Sequence, residues 1–178
     1  MRNEKFFVPL PPIMMLELHN VTIGQLIREL SLTVDDGRMV RVSGPQGSGK
    51  TTLLRAVLGF LPIDDGFISI DGELLTPLSA PYFRRFTAYV PQQLSVPDGY
   101  TDHDFGSFGT LSADERYLFL LRKAVSSGKP LLIVDEPSQP LGNDALQTAD
   151  GLLAEAVGRG CSVLAVTSQM NENTIRLC

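Results

Sequence analysis

Two periodicities organise the chain. Met15–Val21 (MLELHNV) and Leu30–Val34 (LSLTV) alternate apolar and polar positions, the period-2 pattern of strands with one face buried. Lys129–Val134 (KPLLIV) and Ser162–Thr167 (SVLAVT) are instead short continuous apolar runs, as expected of strands covered on both faces. Helical spacing appears in TTLLRAVLGF, where Leu54, Val57 and Leu58 share one face and Gly59 marks a stop. It recurs in SADERYLFLLRKAVSSG, where Ser112 and Glu115 form a capping-box signature, and again over 143–158. Asp35-Asp36-Gly37 is a turn before the strand Arg38–Ser43, Asp64-Asp65-Gly66 leads into Phe67–Ile70, and Asp71-Gly72 is a hairpin signal. Phe86–Val90 reads as a strand ending at Pro91, and Gln92–Thr110 reads as loop.

Strands alternating with helices, with continuous apolar strands in the second half, predict an α/β domain with a mainly parallel central sheet flanked by helices. The early alternating strands predict an added N-terminal antiparallel subsheet. One domain is expected over 15–178. Residues 1–14 are read as a loose leader, because FFVPLPPIMML is apolar but broken by Pro9, Pro11 and Pro12.

Composition narrows the function. The hydrophobic share is 43%, the charged share 20% and the net charge −5, with basic residues scattered rather than striped, so nucleic acid is not expected as a partner. Two cysteines, Cys161 and Cys178, make no disulfide framework. No apolar run approaches the roughly 20 residues of a membrane span. The expected location is cytoplasmic, with membrane contact only through a partner.

The chemistry concentrates in GPQGSGKTT: Gly44, Pro45, Gln46, Gly47, Ser48, Gly49, Lys50, Thr51 and Thr52. Gly-x-x-x-x-Gly-Lys-Thr between a predicted strand and a predicted helix is the Walker A phosphate loop. Glycines let successive backbone N–H groups turn toward phosphate oxygens, and the helix N-terminus adds partial positive charge. Lys50 supplies a cation to the β and γ phosphates, and the Thr51 hydroxyl suits Mg²⁺. Downstream, LLIVDEP places Asp135 and Glu136 at the end of a buried strand, where a carboxylate lies beside the phosphate loop in an open parallel sheet. Asp135 is the candidate for holding Mg²⁺ through water, and Glu136 for general base toward an attacking water.

In motif order, from about Leu16 to Gln169, the chain resembles the ATP-binding cassette (ABC) ATPases, the nucleotide-binding subunits of ABC transporters. MLELHNVTI, LSLTVDDGRMVRVSGPQGSGKTTLLRAVLGFLPIDDGFISIDG and AYVPQQ are similar to the family's opening strands, phosphate loop and Q-loop. The resemblance implies ATP and Mg²⁺ as ligands. It gives Gln92 the Q-loop role, at the metal or the attacking water, with Gln93 as fallback. It also implies a dimer, homo- or heteromeric, with another cassette, and a transmembrane transporter subunit as a further partner.

The second half departs from the family. The helical subdomain before the signature is much reduced. The signature itself is Leu111-Ser112-Ala113-Asp114-Glu115, with Asp114 where a glycine approaches the phosphate bound by the opposite subunit. The D-loop segment Ser138-Gln139-Pro140-Leu141-Gly142 lacks its aspartate, and Ser168 stands at the switch histidine. No aromatic residue for stacking on adenine occurs near Ile23–Gln25, and by this resemblance the sequence is expected to stop at Cys178 before the family's last strand and C-terminal helices. The expectation is ATP binding with hydrolysis that is weak or partner-dependent. The alternatives are a catalytically degenerate structural or regulatory subunit and a P-loop small-molecule kinase.

Overall fold

The computed structural model describes residues 14–93, 108–137, 140–169 and 174–177. Five strands form one all-parallel sheet: β3 (Met39–Ser43), β6 (Thr87–Val90), β7 (Leu131–Val134), β8 (Ser162–Thr167) and β9 (Thr174–Arg176), in the order β6-β7-β8-β3-β9. Four more form an antiparallel sheet: β1 (Leu16–Ile23), β2 (Ile27–Val34), β4 (Asp65–Ile70) and β5 (Glu73–Leu74), in the order β2-β1-β4-β5. Among the described residues the helices are α1 (Lys50–Val57), α2 (Ala80–Arg84), α3 (Ala113–Ser126) and α4 (Asn143–Gly158), with a 3₁₀ turn at Phe108–Thr110.

The continuous apolar runs are explained by burial on both faces. In β7, Leu131 and Ile133 enter the core shared with the antiparallel sheet and α1, while Leu132 and Val134 enter the core under α3 and α4. In β8, Leu164 and Val166 face the first core, and Val163 and Ala165 the second. The parallel sheet is therefore the middle layer, and its strand ends are held from above and below.

Several element boundaries match the sequence pattern. Helix α4 spans 143–158 and β8 spans 162–167, as expected. Helix α3 begins after Ser112, whose hydroxyl accepts the Glu115 amide while the Glu115 carboxylate accepts the Ser112 amide, so the capping box is formed. Asp71 and Gly72, both at positive φ (53° and 77°), make the predicted β4–β5 hairpin turn.

Others differ. β2 starts at Ile27 rather than Leu30, because Glu29 takes φ 50° and the β1–β2 register shifts nearby, which breaks the strict alternation. Helix α2 was not anticipated: five residues with proline in the first turn carry no readable period. β9, after β8, was not among the predicted strands either. It pairs parallel with β3, from Arg41↔Thr174 to Ser43↔Arg176, and Thr-Ile-Arg is too short to show periodicity. Most of the expected Gln92–Thr110 loop, and all but Met14 of the 1–14 leader, lie outside the described residues. Among the described residues, no helix is long and apolar enough to cross a membrane.

Candidate functional site

The carboxyl ends of the parallel strands converge on one cavity of about 610 Å³. The phosphate loop follows β3, Gln92 follows β6, Asp135 and Glu136 follow β7, and Ser168 follows β8. Gln46, Gly47, Gly49, Lys50, Thr51 and Thr52 line the cavity opposite Gln92, Asp135, Glu136 and Ser168. Gln93 is not among its lining residues.

The loop conformation needs its glycines. Gly47 and Gly49 sit at φ 84° and 93°, in the left-handed region where a Cβ is strained. At Gly44 the constraint is close approach: a Cβ would lie 2.4 Å from Ser48 Oγ and 3.3 Å from Leu177 Cβ. Gly49 caps α1 with no side-chain hydrogen bond, and the first helix turn carries no acidic residue. The first four N–H groups of a helix have no partner within it, so this end is open to an anion. By contrast, α3 closes its own N-terminus with Ser112.

Gly44 and Pro45 act through their carbonyls. Lys50 Nζ donates to Gly44 O at 2.6 Å and to Pro45 O at 3.0 Å, which holds the ammonium across the loop. Ser48 Oγ is buried with no hydrogen-bond partner. A buried hydroxyl beside a cradle of left-handed glycines and a lysine is a donor set that a phosphate would satisfy.

Across the cavity, the Thr51 hydroxyl donates to Asp135 Oδ2 at 3.0 Å, and the Glu136 amide donates to Asp135 Oδ1 at 3.0 Å. Asp135 is 1% exposed. Its burial raises the carboxyl pKa above the usual range, the Glu136 charge adds to the rise, and these two hydrogen bonds with the Lys50 charge oppose it. Tyr89, on β6, stands beside the same carboxylate, and burial first and the Asp135 charge second push its phenol up to about 12. Among the described residues, no group of three or more His, Cys, Asp or Glu could hold a metal by itself. Thr51 and Asp135 instead fit Mg²⁺, which commonly takes one or two protein ligands and completes its shell with phosphate and water.

Glu136 is oriented from the neighbouring strand: the Ser168 hydroxyl donates to Glu136 Oε1 at 2.7 Å. Asp114 has an internal partner too. Its Oδ2 accepts from the Gly142 amide at 3.0 Å, which joins the start of α3 to the N-cap of α4. Pro140 and Leu141 of the D-loop segment line the cavity, while Ser138 and Gln139 lie outside the described residues.

Sequence reasoning missed two features of the site, one lining the cavity and one beside Asp135. Leu26, in the β1–β2 connection, reaches the cavity although 48% exposed, and only its place beside Gly49 in the fold reveals it. Tyr89 looked like an ordinary strand residue; its contact with Asp135 follows from the parallel pairing of β6 with β7.

Comparison with known proteins agrees with this geometry. A family model described as ABC transporter matches residues 27–105. The mitochondrial iron-sulfur clusters transporter atm1 of Neurospora crassa is 33% identical over 114 residues, which cover 61% of this chain and 16% of that protein. An ABC transporter ATP-binding protein of Rhizobium meliloti is 27% identical, covering 83% of this chain and 67% of that protein. The chain thus spans 16% to 67% of the lengths of these two relatives. A solved ATP-binding subunit of an ABC transporter superposes with TM-score 0.70 at 22% identity, covering 86% of this chain and 79% of that one, which shows a shared fold. Sequence match and fold extend over both the phosphate loop and the Asp135–Glu136 strand, and the chain is similar to the ATP-binding domains of ABC transporters.

Proposed function

We propose that the chain is the ATP-binding subunit of an ABC-type transporter, that it binds ATP with Mg²⁺, and that it hydrolyses ATP weakly or only with a partner. The observation that carries this reading is the gathering of Lys50, Thr51, Asp135 and Glu136 around one cavity. The glycine loop and the open end of α1 grip the triphosphate, and Lys50 exchanges its carbonyl partners for phosphate oxygens. Mg²⁺, held by Thr51 and Asp135 with Gln92 nearby, would neutralise charge on the β and γ phosphates. Glu136 Oε accepts a proton from the attacking water, and Gln92 orients that water.

The similarity to an ATP-binding protein of Rhizobium meliloti supports a transport role through a separate membrane component. The partner for turnover is a second cassette. In a homodimer both composite sites would carry Asp114, whose carboxylate is committed to Gly142 in its own chain. A different cassette would instead bring its own signature to this chain's site.

Steady-state ATPase of the purified protein beside a Glu136→Gln variant tests the reading. Turnover that is low alone, rises with a partner cassette and disappears in the variant is expected. ATP binding with turnover that Glu136→Gln leaves unchanged favours the structural or regulatory reading, to which Ser168 and Asp114 already lean. ADP formation only on addition of an acceptor identifies a kinase.

A further inference from the structure

A second cavity, of about 310 Å³, lies against α4 on the side of the parallel sheet where Val134, Leu153 and Ala165 pack. Glu136, Pro137, Leu141, Leu146 and Gln169 form the wall it shares with the phosphate cavity. Arg41 enters it from β3, alternating with the buried Val42, and its guanidinium donates to Asp150 Oδ1 of α4 at 2.6 Å. Tyr117 enters from α3. It is 5% exposed, and its hydroxyl has no hydrogen-bond partner among the described residues. Burial pushes its phenol up to about 12, the Arg41 charge opposes the rise, and the Asp150 and Glu136 charges add to it. At neutral pH the hydroxyl is therefore a hydrogen-bond donor.

A buried hydroxyl left unpaired is unfavourable, and a ligand oxygen in the cavity would satisfy it. The charged side chains of the lining are Arg41, Asp150 and Glu136, one cation and two carboxylates. A simple anion beside Arg41 would meet two like charges, and a simple cation beside Asp150 would meet the guanidinium. A purely apolar molecule would leave the Tyr117 hydroxyl unpaired. A molecule carrying both signs answers every group: its carboxylate takes the planar fork of Arg41 and the Tyr117 hydroxyl, and its ammonium takes Asp150. The amides of Asn143, Gln147 and Gln169 both donate and accept, so they suit either end. Leu141, Leu146 and Leu153 leave an aliphatic wall for a side chain. The volume stands at the low end of the roughly 300–1,000 Å³ of small-molecule pockets. We propose that this second cavity binds a free α-amino acid with an aliphatic side chain, recognised by Arg41, Tyr117 and Asp150. The site is separate from the phosphate loop and does not rest on its reading as a triphosphate site.

Isothermal titration with leucine, N-acetyl-leucine and leucinamide tests it on the wild type, Tyr117→Phe and Arg41→Lys. The wild type is expected to bind leucine with a Kd of about 1 mM or tighter. Each analogue lacks one of the two charges and should bind at least about tenfold more weakly. Tyr117→Phe removes only the hydroxyl, and Arg41→Lys keeps the charge but not the fork; each should weaken leucine by about fivefold or more. The analogue series is read on the wild type and needs no variant to fold. Either analogue held as tightly as leucine overturns the proposal, as does a folded Tyr117→Phe or Arg41→Lys variant with unchanged leucine affinity. Absence of leucine binding up to about 10 mM overturns it as well. MgATP titration reads the phosphate loop separately, so failure of one site is distinguishable from failure of the other.

Discussion

The Ser168 hydroxyl donates to Glu136 Oε1 at 2.7 Å and so ties together the ends of β7 and β8, two adjacent parallel strands. A serine at this place reaches the carboxylate but carries no charge toward a phosphate. It holds the Glu136 carboxylate, the proposed general base, in place, and in the proposed site leaves phosphate stabilisation to Lys50 and the loop.

Removing that hydroxyl therefore acts on the chemical step. Ser168→Ala is expected to lower kcat by about tenfold, the equivalent of one hydrogen bond to a charged group, with KM little changed. Ser168→Thr, which keeps the hydroxyl, should recover most of the loss. Single-turnover ATP cleavage compared with thermal melting separates the two effects, because both side chains are exposed enough for stability to stay nearly constant. Equal loss in the Ala and Thr variants would remove the hydroxyl from the account.

Asp114 is a structural link between helices. Asp114→Ala leaves the Gly142 amide without its carboxylate and removes a negative charge from the N-terminal side of α4. A loss of about 1–2 kcal/mol is expected, read as a fall in Tm of about 2–6 °C. An unchanged melting curve would mean that solvent replaces the carboxylate at no cost.

Gly44→Ala tests the close approach in the loop. Its Cβ would meet Ser48 Oγ at 2.4 Å and Ser48 Cβ at 3.2 Å, so loop and serine must separate. Overpacking of this kind costs about 1–3 kcal/mol, and nucleotide affinity should fall with the distorted cradle. Equilibrium titration and chemical denaturation measure the two effects separately. Full retention of both would contradict the loop geometry.

Asp135 gives a pH dependence whose sign can be stated. Burial raises its carboxyl pKa in the folded protein above the ordinary value of about 3.9. Protonated Asp135 therefore contributes stability below that ordinary value, and the contribution is lost as pH rises through the raised folded value. At pH 7 the nucleotide-free protein holds a buried charge opposed only in part by Thr51, Lys50 and the Glu136 amide. Asp135→Asn should raise its Tm at pH 7, and the gain should shrink as pH falls toward 4. The same variant should lose Mg²⁺-dependent ATP affinity. A lower Tm at pH 7 would contradict the assignment.

How much could be read from the sequence depended on whether a signal was local. The Ser112–Glu115 box, the Asp71-Gly72 turn and the continuous runs of β7 and β8 each follow from chemistry within a few residues, and each appears where expected. The phosphate loop was legible for the same reason: its glycines answer to local backbone geometry. Contacts across the fold were not. Leu26 beside Gly49, Tyr89 beside Asp135, Ser168 on Glu136 and Asp114 on Gly142 join residues far apart in the chain, and no periodicity encodes them. α2 and β9 are too short to show a period and form because the parallel sheet and its flanking core give them a place to pack.

Equilibrium titration of MgATP into the wild type and a Lys50→Met variant tests the central claim most directly. The wild type should bind, and the variant should bind at least about tenfold more weakly with an unchanged far-UV spectrum, because the ammonium now shared by Gly44 O and Pro45 O is the cation the phosphates require. Absence of ATP binding in the wild type, or equal affinity in the variant, would contradict the assignment of this loop as the nucleotide site.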